Sequence, residues 1–312
     1  MDALQCAANP REVGGAVQKK LKFWMVLALL RGLALLPWAA LEALGAAIGY
    51  CLWRFDSRER HIAAANIALC LPQLSAAERA QLERATLIHF GRVAAEIAKI
   101  WFGSRAAVDA AVVAVEGEEL LTAALAEGRG VIILAPHHGN WEMLGSYLGR
   151  YHALTTMYLP AKDEAVDAVV RIARMRSGAQ VAPANAAGVR TMLKVLKQGG
   201  LAGMLPDQVP KQAGAEFAPF FGQPALTMTL PGNLLQKTGA KALFGCAFRV
   251  EGGKGFRIVF RAAAAEVYAP DAAVSLAALN RGVEDLIREC PQQYQWEYKR
   301  FKIQPEGVPR RY

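Results

Sequence analysis

Short β-branched runs alternate with stretches of helical spacing from residue 112 onward. The runs read VVAV, VIIL, LTTMYL, AQVAP and LAGML, and between them apolar residues recur every three to four positions. This alternation predicts an open, mostly parallel sheet with helices on both faces, an α/β fold. Two later runs, LFGCAFRV and GFRIVF, are separated by EGGKG and predict an antiparallel hairpin added to that sheet.

Helix signals frame this region. The Ser-Ala-Ala-Glu sequence at 75–78 has the pattern of a capping box and predicts the start of a long helix that ends near Trp101. A closing helix is expected over about residues 272–288. The chain contains no internal repeat and no linker-like segment, so residues 56–312 are predicted to form one domain.

The N-terminal region divides into a loose tail at 1–18 and a hydrophobic segment at 19–55. Residues 23–53 are interrupted by only two charges, Arg31 and Glu42. About 20 apolar residues can span a bilayer, and tryptophans are common at interfacial depth. The two charges are three helical turns apart and would share a face, as in a helix lying on the membrane surface. We expect a membrane-associated helix, spanning or lying flat, with Pro37 as a possible kink and a buried core helix as the alternative.

Charge and composition narrow the class of partner only slightly. The formal net charge of +9 favours an anionic partner, which includes nucleic acid, a membrane surface or a phosphorylated substrate. Five widely spaced cysteines without a CxxC pair suggest neither a disulfide framework nor a zinc knuckle, and fit a reducing compartment.

The chemistry-bearing motif is APHHGNWEMLG at 135–145, directly after the apolar run VIIL. Gly139 permits a sharp turn, and Asn140 is a favoured N-cap for the helix that follows. His137 therefore lies in a loop at the carboxyl end of a strand, where open α/β sheets bind their ligands. Across such a junction the loop can bring the imidazole over the first helical turn, near Glu142.

This arrangement predicts that Glu142 fixes the tautomer of His137, whose other ring nitrogen then acts as a general base. The motif contains no serine, so the nucleophile would be a hydroxyl of the substrate. His138 and Glu142 are four residues apart and His137 is adjacent, a spacing that can bind a metal ion, but no further Cys/His cluster completes a ligand set. No metal is therefore expected.

The spacing His-x4-Glu resembles the H-x4-D/E dyad of glycerolipid-type acyltransferases. HHGNWE in particular is similar to the motif of the late acyltransferases of lipid A biosynthesis, the lauroyl/myristoyl acyltransferase family. The likeness extends to RHIAAANIALCLPQLSAAER, to RMRSGAQVAPANAAGVRTMLKVLKQGGLAGMLPDQ, to FAPFFGQPALTMT and to QYQWEYKRFK. It covers nearly the whole chain, from about residue 19 to residue 302.

The resemblance implies transfer of a fatty acyl group from an acyl carrier protein thioester to the hydroxyl of a hydroxyacyl chain on a Kdo-modified lipid A precursor. It places the catalytic domain on the cytoplasmic face of a bacterial inner membrane, in contact with phospholipid, and it implies no cofactor. In that reaction His137 would remove the hydroxyl proton and Glu142 would orient His137. Backbone N–H groups near Gly139–Trp141 or a basic side chain are candidate donors to the oxyanion.

Substrate-binding residues follow from the same likeness and from charge. Arginine forks and lysines suit a bis-phosphorylated sugar. Asp207 and Gln208 follow the strand LAGML in another carboxyl-end loop, where they would bind substrate or brace the His137 loop. The candidate substrate-binding residues are Asn140, Arg174, Arg176, Asp207, Gln208, Lys299 and Arg300.

One departure from the family pattern leaves the acceptor open. Where many members have Tyr-Arg-Pro, this chain has Tyr158-Leu159-Pro160. The same chemistry on a lysophospholipid, a glycolipid or an ornithine lipid is the alternative, and a non-enzymatic protein that binds anionic lipid is a second one. Nucleic acid is disfavoured because no groove-reading or base-stacking module is recognised.

Overall fold

Nine strands form two sheets in the computed structural model, which describes residues 10–210 and 214–312. The main sheet has the order β1-β9-β8-β2-β5-β3-β4, and β6 and β7 form a separate two-stranded sheet. The strands are β1 (Val112–Glu116), β2 (Val131–Leu134), β3 (Leu154–Tyr158), β4 (Gln180–Pro183), β5 (Leu201–Met204), β6 (Ala215–Phe220), β7 (Gln223–Met228), β8 (Lys241–Arg249) and β9 (Phe256–Ala262).

Eleven α-helices surround the sheets in the described residues. They are α1 (Pro10–Leu35), α2 (Trp38–Arg54), α3 (Arg58–Cys70), α4 (Ala76–Phe102), α5 (Arg105–Asp109), α6 (Glu118–Ala126), α7 (Trp141–Tyr151), α8 (Glu164–Arg176), α9 (Ala186–Lys197), α10 (Leu230–Thr238) and α11 (Ala272–Glu289). Ser75 and Glu78 form the predicted capping box at the start of α4.

The predicted α/β architecture is confirmed. Strands β8, β2, β5, β3 and β4 run parallel, while β9 is antiparallel to β8 and forms the predicted hairpin with it. All four residues of β2 and of β5 are buried, because helices cover both faces of a parallel sheet. The carboxyl ends of these two central strands therefore open side by side at one edge of the sheet.

Successive β2 side chains enter different cores. Ile132 and Leu134 pack with α9, α10 and α11 on one face. Val131 and Ile133 pack with α6 and α7 on the other. Because side chains alternate along a strand, the short run VIIL supplies both cores and fixes the direction in which the chain leaves β2.

The predicted N-terminal membrane helix is wrong in one respect, because residues 19–55 form two helices. No helix in the ranges 10–210 and 214–312 is long and apolar enough to cross a membrane. The break falls at Pro37, which cannot donate the helical hydrogen bond. The buried Lys99 donates hydrogen bonds to carbonyl oxygens at the end of α1. Its Nζ lies 3.1 Å from the Ala34 oxygen and also donates to the Leu36 oxygen. Residues 10–18 of the expected tail belong to α1, and residues 1–9 lie outside the described residues.

Three glycines allow α2 to pack closely on α4. A Cβ at Gly49 would lie 2.2 Å from the Leu87 carbonyl oxygen, and one at Gly91 would lie 2.2 Å from that of Gly45. The N-terminal helix pair α1–α2 is thereby held against α4. Helix α4 also reaches the His137 loop.

The hairpin β6–β7 was not predicted. Its sequence, FAPFFGQPALTMT, contains prolines at 219 and 224, which normally argue against a strand. The two prolines lie opposite each other in an isolated two-stranded sheet. Each strand of this sheet has only one neighbour, so fewer backbone N–H groups must donate than in an interior strand.

Candidate active site

The turn after β2 has the conformation expected from its sequence. Gly139 has a φ of +60°, and a Cβ there would lie 2.2 Å from the Ala247 carbonyl oxygen. Asn140 caps α7, since its side chain accepts a hydrogen bond from the backbone N–H of Met143 at 3.1 Å. The chain thus reverses tightly beside β8, and His137 is left at the mouth of the turn with 15% of its side chain exposed.

The acid hydrogen-bonded to His137 is Asp207, from the loop after β5. Nδ1 of His137 lies 2.8 Å from one Asp207 carboxylate oxygen, and the His137 backbone N–H donates to the other at 2.9 Å. Burial favours a raised pKa for Asp207, but the charge of His137 and these two hydrogen bonds outweigh burial and hold the pKa below its usual range. An ionised carboxylate only accepts, so Nδ1 carries the proton and Nε2 is left as the basic nitrogen.

Glu142 differs from its predicted place. Its carboxylate forms an ion pair with Arg174 at 2.7 Å and accepts a hydrogen bond from the indole N–H of Trp101 at 2.8 Å. The physical reason is that Glu142 lies in the first turn of α7 and faces α4 and α8, whereas His137 faces the end of β5. The two residues of the H-x4-E motif are therefore close together in the chain but bonded to different partners.

The C-terminal segment forms a wall of the site. The His137 carbonyl accepts from the N–H of Gln295 at 3.2 Å, and Gly139 donates to the Gln293 carbonyl at 3.0 Å. His138 is fully buried, and its Nε2 lies 2.8 Å from the Cys290 carbonyl oxygen. Burial lowers the pKa of His138 to about 4, so this histidine is neutral and serves the packing of the turn.

A buried ionic network supports the turn from the side of α4. Arg249 donates to both carboxylate oxygens of Glu96, and Glu96 also accepts from the Asn140 amide at 2.9 Å. Nδ1 of His89 lies 2.8 Å from the Arg249 guanidinium. Burial, with the charge of Arg249 added, lowers the pKa of His89 to about 2. No sequence pattern predicts this network, because its members lie far apart along the chain.

Among the predicted substrate-binding residues, Asp207, Gln208 and Arg174 lie around the turn. Gln208 donates from its amide to Gln295 at 3.0 Å, which joins the Asp207 loop to the C-terminal wall. Arg174 reaches the turn through Glu142, as described above. Arg176 is exposed and donates to the Trp101 carbonyl at 3.2 Å.

The other candidates are engaged elsewhere. Asn140 has no exposed surface, and both ends of its amide bond to the protein. Arg300 is 2% exposed and donates to the Leu226 carbonyl at 2.6 Å and to the Thr227 hydroxyl at 3.0 Å. Lys299 stacks over the ring of Tyr312, with its Nζ 5.1 Å from the ring centre. Direct substrate contact by Asn140 or Arg300 does not fit these positions, since burial and protein partners occupy both side chains.

Sequence reasoning missed three groups beside His137. Trp141 packs its ring edge-on to the imidazole at 5.0 Å between centres. Glu297 and Gln295 come from the C-terminal segment that the sequence marked only as aromatic and basic. No group of three or more His, Cys, Asp or Glu side chains in the described part of the chain is arranged to hold a metal ion. Because Nδ1 of His137 is bonded to Asp207, its Nε2 is suited to proton abstraction.

Comparison with known proteins agrees with the resemblance. Residues 16–303 match the family described as bacterial lipid A biosynthesis acyltransferase. The chain is 30% identical over 289 residues to the lipid A biosynthesis palmitoleoyltransferase of Escherichia coli K12, covering 91% of this chain and 92% of that protein. It is 27% identical over 290 residues to the lauroyltransferase of the same organism, covering 93% and 94%. It is 24% identical over 291 residues to the myristoyltransferase, covering 91% and 88%. The chain belongs to the bacterial lipid A biosynthesis acyltransferase family.

Proposed function

We propose that this acyltransferase moves a fatty acyl chain from an acyl carrier protein thioester to the hydroxyl of a hydroxyacyl chain on a Kdo-modified lipid A precursor. The observation that carries the proposal is the 2.8 Å hydrogen bond between His137 Nδ1 and Asp207 at the carboxyl end of the sheet. Family membership supplies the class of acceptor. No cofactor is required for this chemistry.

The reaction needs one base and no covalent enzyme intermediate. Nε2 of His137 removes the hydroxyl proton while the oxygen attacks the thioester carbonyl carbon. The tetrahedral intermediate collapses, the carbon–sulfur bond breaks, and the imidazolium returns the proton to the leaving thiolate. Asp207 holds the reactive tautomer of His137 and stabilises the imidazolium.

Glu142 is proposed to act through Arg174. Their ion pair is mostly buried, with 9% of the Glu142 and 23% of the Arg174 side chain exposed. A guanidinium fixed in this way beside the turn can bind an anionic group of the acceptor, such as a phosphate. Arg176, Gln208 and Lys299 remain proposed contacts to the acceptor.

We propose that the enzyme acts on the cytoplasmic face of the inner membrane and contacts phospholipid through α1 and α2. These helices expose large apolar side chains that the protein leaves uncovered. They are Leu21, Trp24, Met25, Leu29, Leu35, Leu44, Ile48, Tyr50 and Phe55. Large exposed apolar side chains clustered on two helices are typical of a membrane contact.

A different lipid acceptor is the second candidate. Leu159 stands where many family members have an arginine, and it is 58% exposed at the end of β3. An apolar residue there cannot pair with an anionic group of the acceptor, which leaves a lysophospholipid, glycolipid or ornithine lipid as alternative acceptors. The same enzyme chemistry applies to each.

Mass spectrometry of lipid A tests both candidates. Cells lacking the gene should lose one secondary acyl chain, and the plasmid-borne gene should restore it, whereas the His137→Ala variant should not. The purified variant should be slower by about two to four orders of magnitude, because general-base catalysis contributes that much. Unchanged lipid A with altered phospholipid or ornithine lipid would favour the second candidate, and full activity of His137→Ala would end the proposed mechanism.

A further inference from the structure

A buried carboxyl group, Glu297, shares a cavity with His137. The cavity is about 10 Å³, which is room for about one water molecule or one oxygen atom. His137, Trp141, His89, Tyr294 and Glu297 are among the residues that line it. The backbone contacts of Gln295 to the His137 loop hold this part of the chain in place.

The Glu297 carboxyl group lacks a full set of partners. The residue is 9% exposed, and its Oε2 has no hydrogen-bond partner among the residues that the structure describes. A buried polar atom without a partner destabilises the folded state, so native proteins rarely keep one without a use. An oxygen atom of a ligand in the cavity would supply the missing partner if the carboxyl group carries a proton.

The surroundings favour that protonated form. Burial raises the pKa of Glu297 to about 8, and Glu59 adds to the rise, against weaker opposing effects of its own backbone N–H and the Gln295 side chain. The titratable groups that face it are Glu59 from α3, His89 from α4, His137 from the turn after β2, and Tyr294 from its own segment. His89 is neutral, so this histidine adds no positive charge that would stabilise a Glu297 carboxylate.

We propose that Glu297 is a second catalytic group of the His137 site, a neutral carboxylic acid that donates a hydrogen bond to the carbonyl oxygen of the acyl donor. The proposal rests on the proposed acyl transfer. As the alcohol attacks, negative charge develops on that oxygen, and the donated hydrogen bond strengthens. Glu297 keeps its proton throughout, while the hydroxyl proton passes to His137 and then to the leaving thiolate.

Two variants of similar size separate hydrogen-bond donation from packing. Glu297→Gln keeps an N–H donor, so we expect acyl transfer at pH 7 within about tenfold of wild type. Glu297→Leu removes the donor, and we expect the rate constant to fall about 100-fold or more, as for other oxyanion donors. Glu284→Gln, which changes a buried acid on α11 outside this cavity, is the control and should keep the wild-type rate. A Glu297→Leu rate within threefold of wild type, or equal losses in the Gln and Leu variants, would overturn the proposal.

The pH profile adds a readout that a packing role would not move. Wild-type turnover should fall as the pH rises through about 8, where Glu297 loses its proton. The Glu297→Gln variant should lack this fall because an amide does not titrate. Identical profiles of the two proteins would contradict the assignment.

Infrared spectroscopy of the purified full chain tests the protonation state without any substrate. We expect wild type to show a carboxylic-acid carbonyl band at pH 7 that disappears above pH 8. The spectrum of the Glu297→Gln variant should lack this band. An ionised Glu297 at pH 7 would sink the inference even if lipid A acylation is demonstrated. Conversely, failure of the lipid assay would leave the infrared result intact, so the two failures can be told apart.

Discussion

His137 and its acid partner show what a short motif does and does not determine. The turn, the glycine and the Asn140 cap follow from local sequence, because each depends on neighbouring residues. The bond to Asp207 joins residues 70 positions apart, and no local pattern contains that information. The H-x4-E spacing made Glu142 the nearest acid in sequence, whereas the ends of β2 and β5 made Asp207 the nearest in space.

The two acids are separable by mutation. In Asp207→Asn the amide can accept only one of the two His137 hydrogen bonds, and its N–H₂ group favours the wrong imidazole tautomer. We expect the turnover number to fall by about three to four orders of magnitude, as in comparable triads. Glu142→Gln keeps the size of the side chain but weakens the Arg174 ion pair, so KM for the acceptor should rise more than the turnover number falls.

Steady-state kinetics of the two variants with varied acceptor, together with thermal unfolding as a control for folding, measures both effects. A larger loss of turnover in Glu142→Gln than in Asp207→Asn would mean that Glu142 pairs with His137 in the reacting complex.

Two neutral histidines, the buried His138 and the partly buried His89, should make the fold sensitive to acid. The folded-state pKa values of His89 and His138 are about 2 and about 4, below the ordinary value of 6.5. As the pH falls below 6.5 the unfolded chain gains protons that the folded chain does not, so the stability from these groups is present above that pH and lost below it. Below pH 6.5, each histidine lowers the free energy of unfolding by up to about 1.4 kcal/mol for every unit by which the pH falls.

Urea unfolding between pH 7 and pH 5 measures this loss of stability. His138→Asn should reduce its slope with pH, and the same substitution at the exposed His61 is the control. An equal slope in wild type and His138→Asn would contradict the prediction.

At the scale of elements, the strands and most helices were predictable because each follows a local period. The predictions failed where tertiary contacts override the local pattern. Residues 23–53 contain only two charges, so the sequence favoured one membrane-associated helix with a kink at Pro37. The structure has two separate helices there, and Lys99 of α4 donates a hydrogen bond to the end of the first one. The hairpin β6–β7 was hidden by its prolines, which an interior strand would not tolerate but this isolated pair does.

The contact between α2 and α4 gives a stability prediction with a built-in control. Gly49→Ala places a methyl group 2.2 Å from the Leu87 carbonyl oxygen, so the helices must separate. We expect a loss of about 1–3 kcal/mol in the free energy of unfolding, typical of overpacking. Gly32→Ala in α1 meets nothing within 4 Å and should stabilise the protein by up to about 1 kcal/mol. Denaturant unfolding measures the free energy of unfolding of both variants. Equal changes in the two variants would show that the α2–α4 contact is not tight in solution.

For the molecule as a whole, the sequence indicated an anionic partner and a membrane but not how the chain presents itself to them. Family membership settled the class of reaction, which a histidine and an acid alone could not. The sequence alone did not predict which apolar side chains of α1 and α2 are exposed. Their exposure depends on the break at Pro37 and on α4, which covers one side of the α1–α2 helix pair.

The exposed apolar face should govern membrane binding. A double variant Trp24→Ser and Leu29→Ser removes two exposed apolar side chains of α1, 54% and 62% exposed. Each burial is worth about 1.5–3 kcal/mol, so affinity for vesicles should fall about 100-fold or more. Co-sedimentation with vesicles of phosphatidylethanolamine and phosphatidylglycerol measures it. Val274→Ser on α11, at another exposed apolar residue, is the control, and unchanged binding by the double variant would contradict the proposed contact.

The C-terminal wall has a consequence for when an enzyme molecule becomes competent. Gln293 and Gln295 supply backbone partners to the His137 turn, yet the ribosome adds them after every strand of the main sheet. A nascent chain whose residues 293–295 are still inside the exit tunnel therefore carries His137 in a turn without this support. The turn thus gains its last supporting contacts only after the whole main sheet has been synthesised.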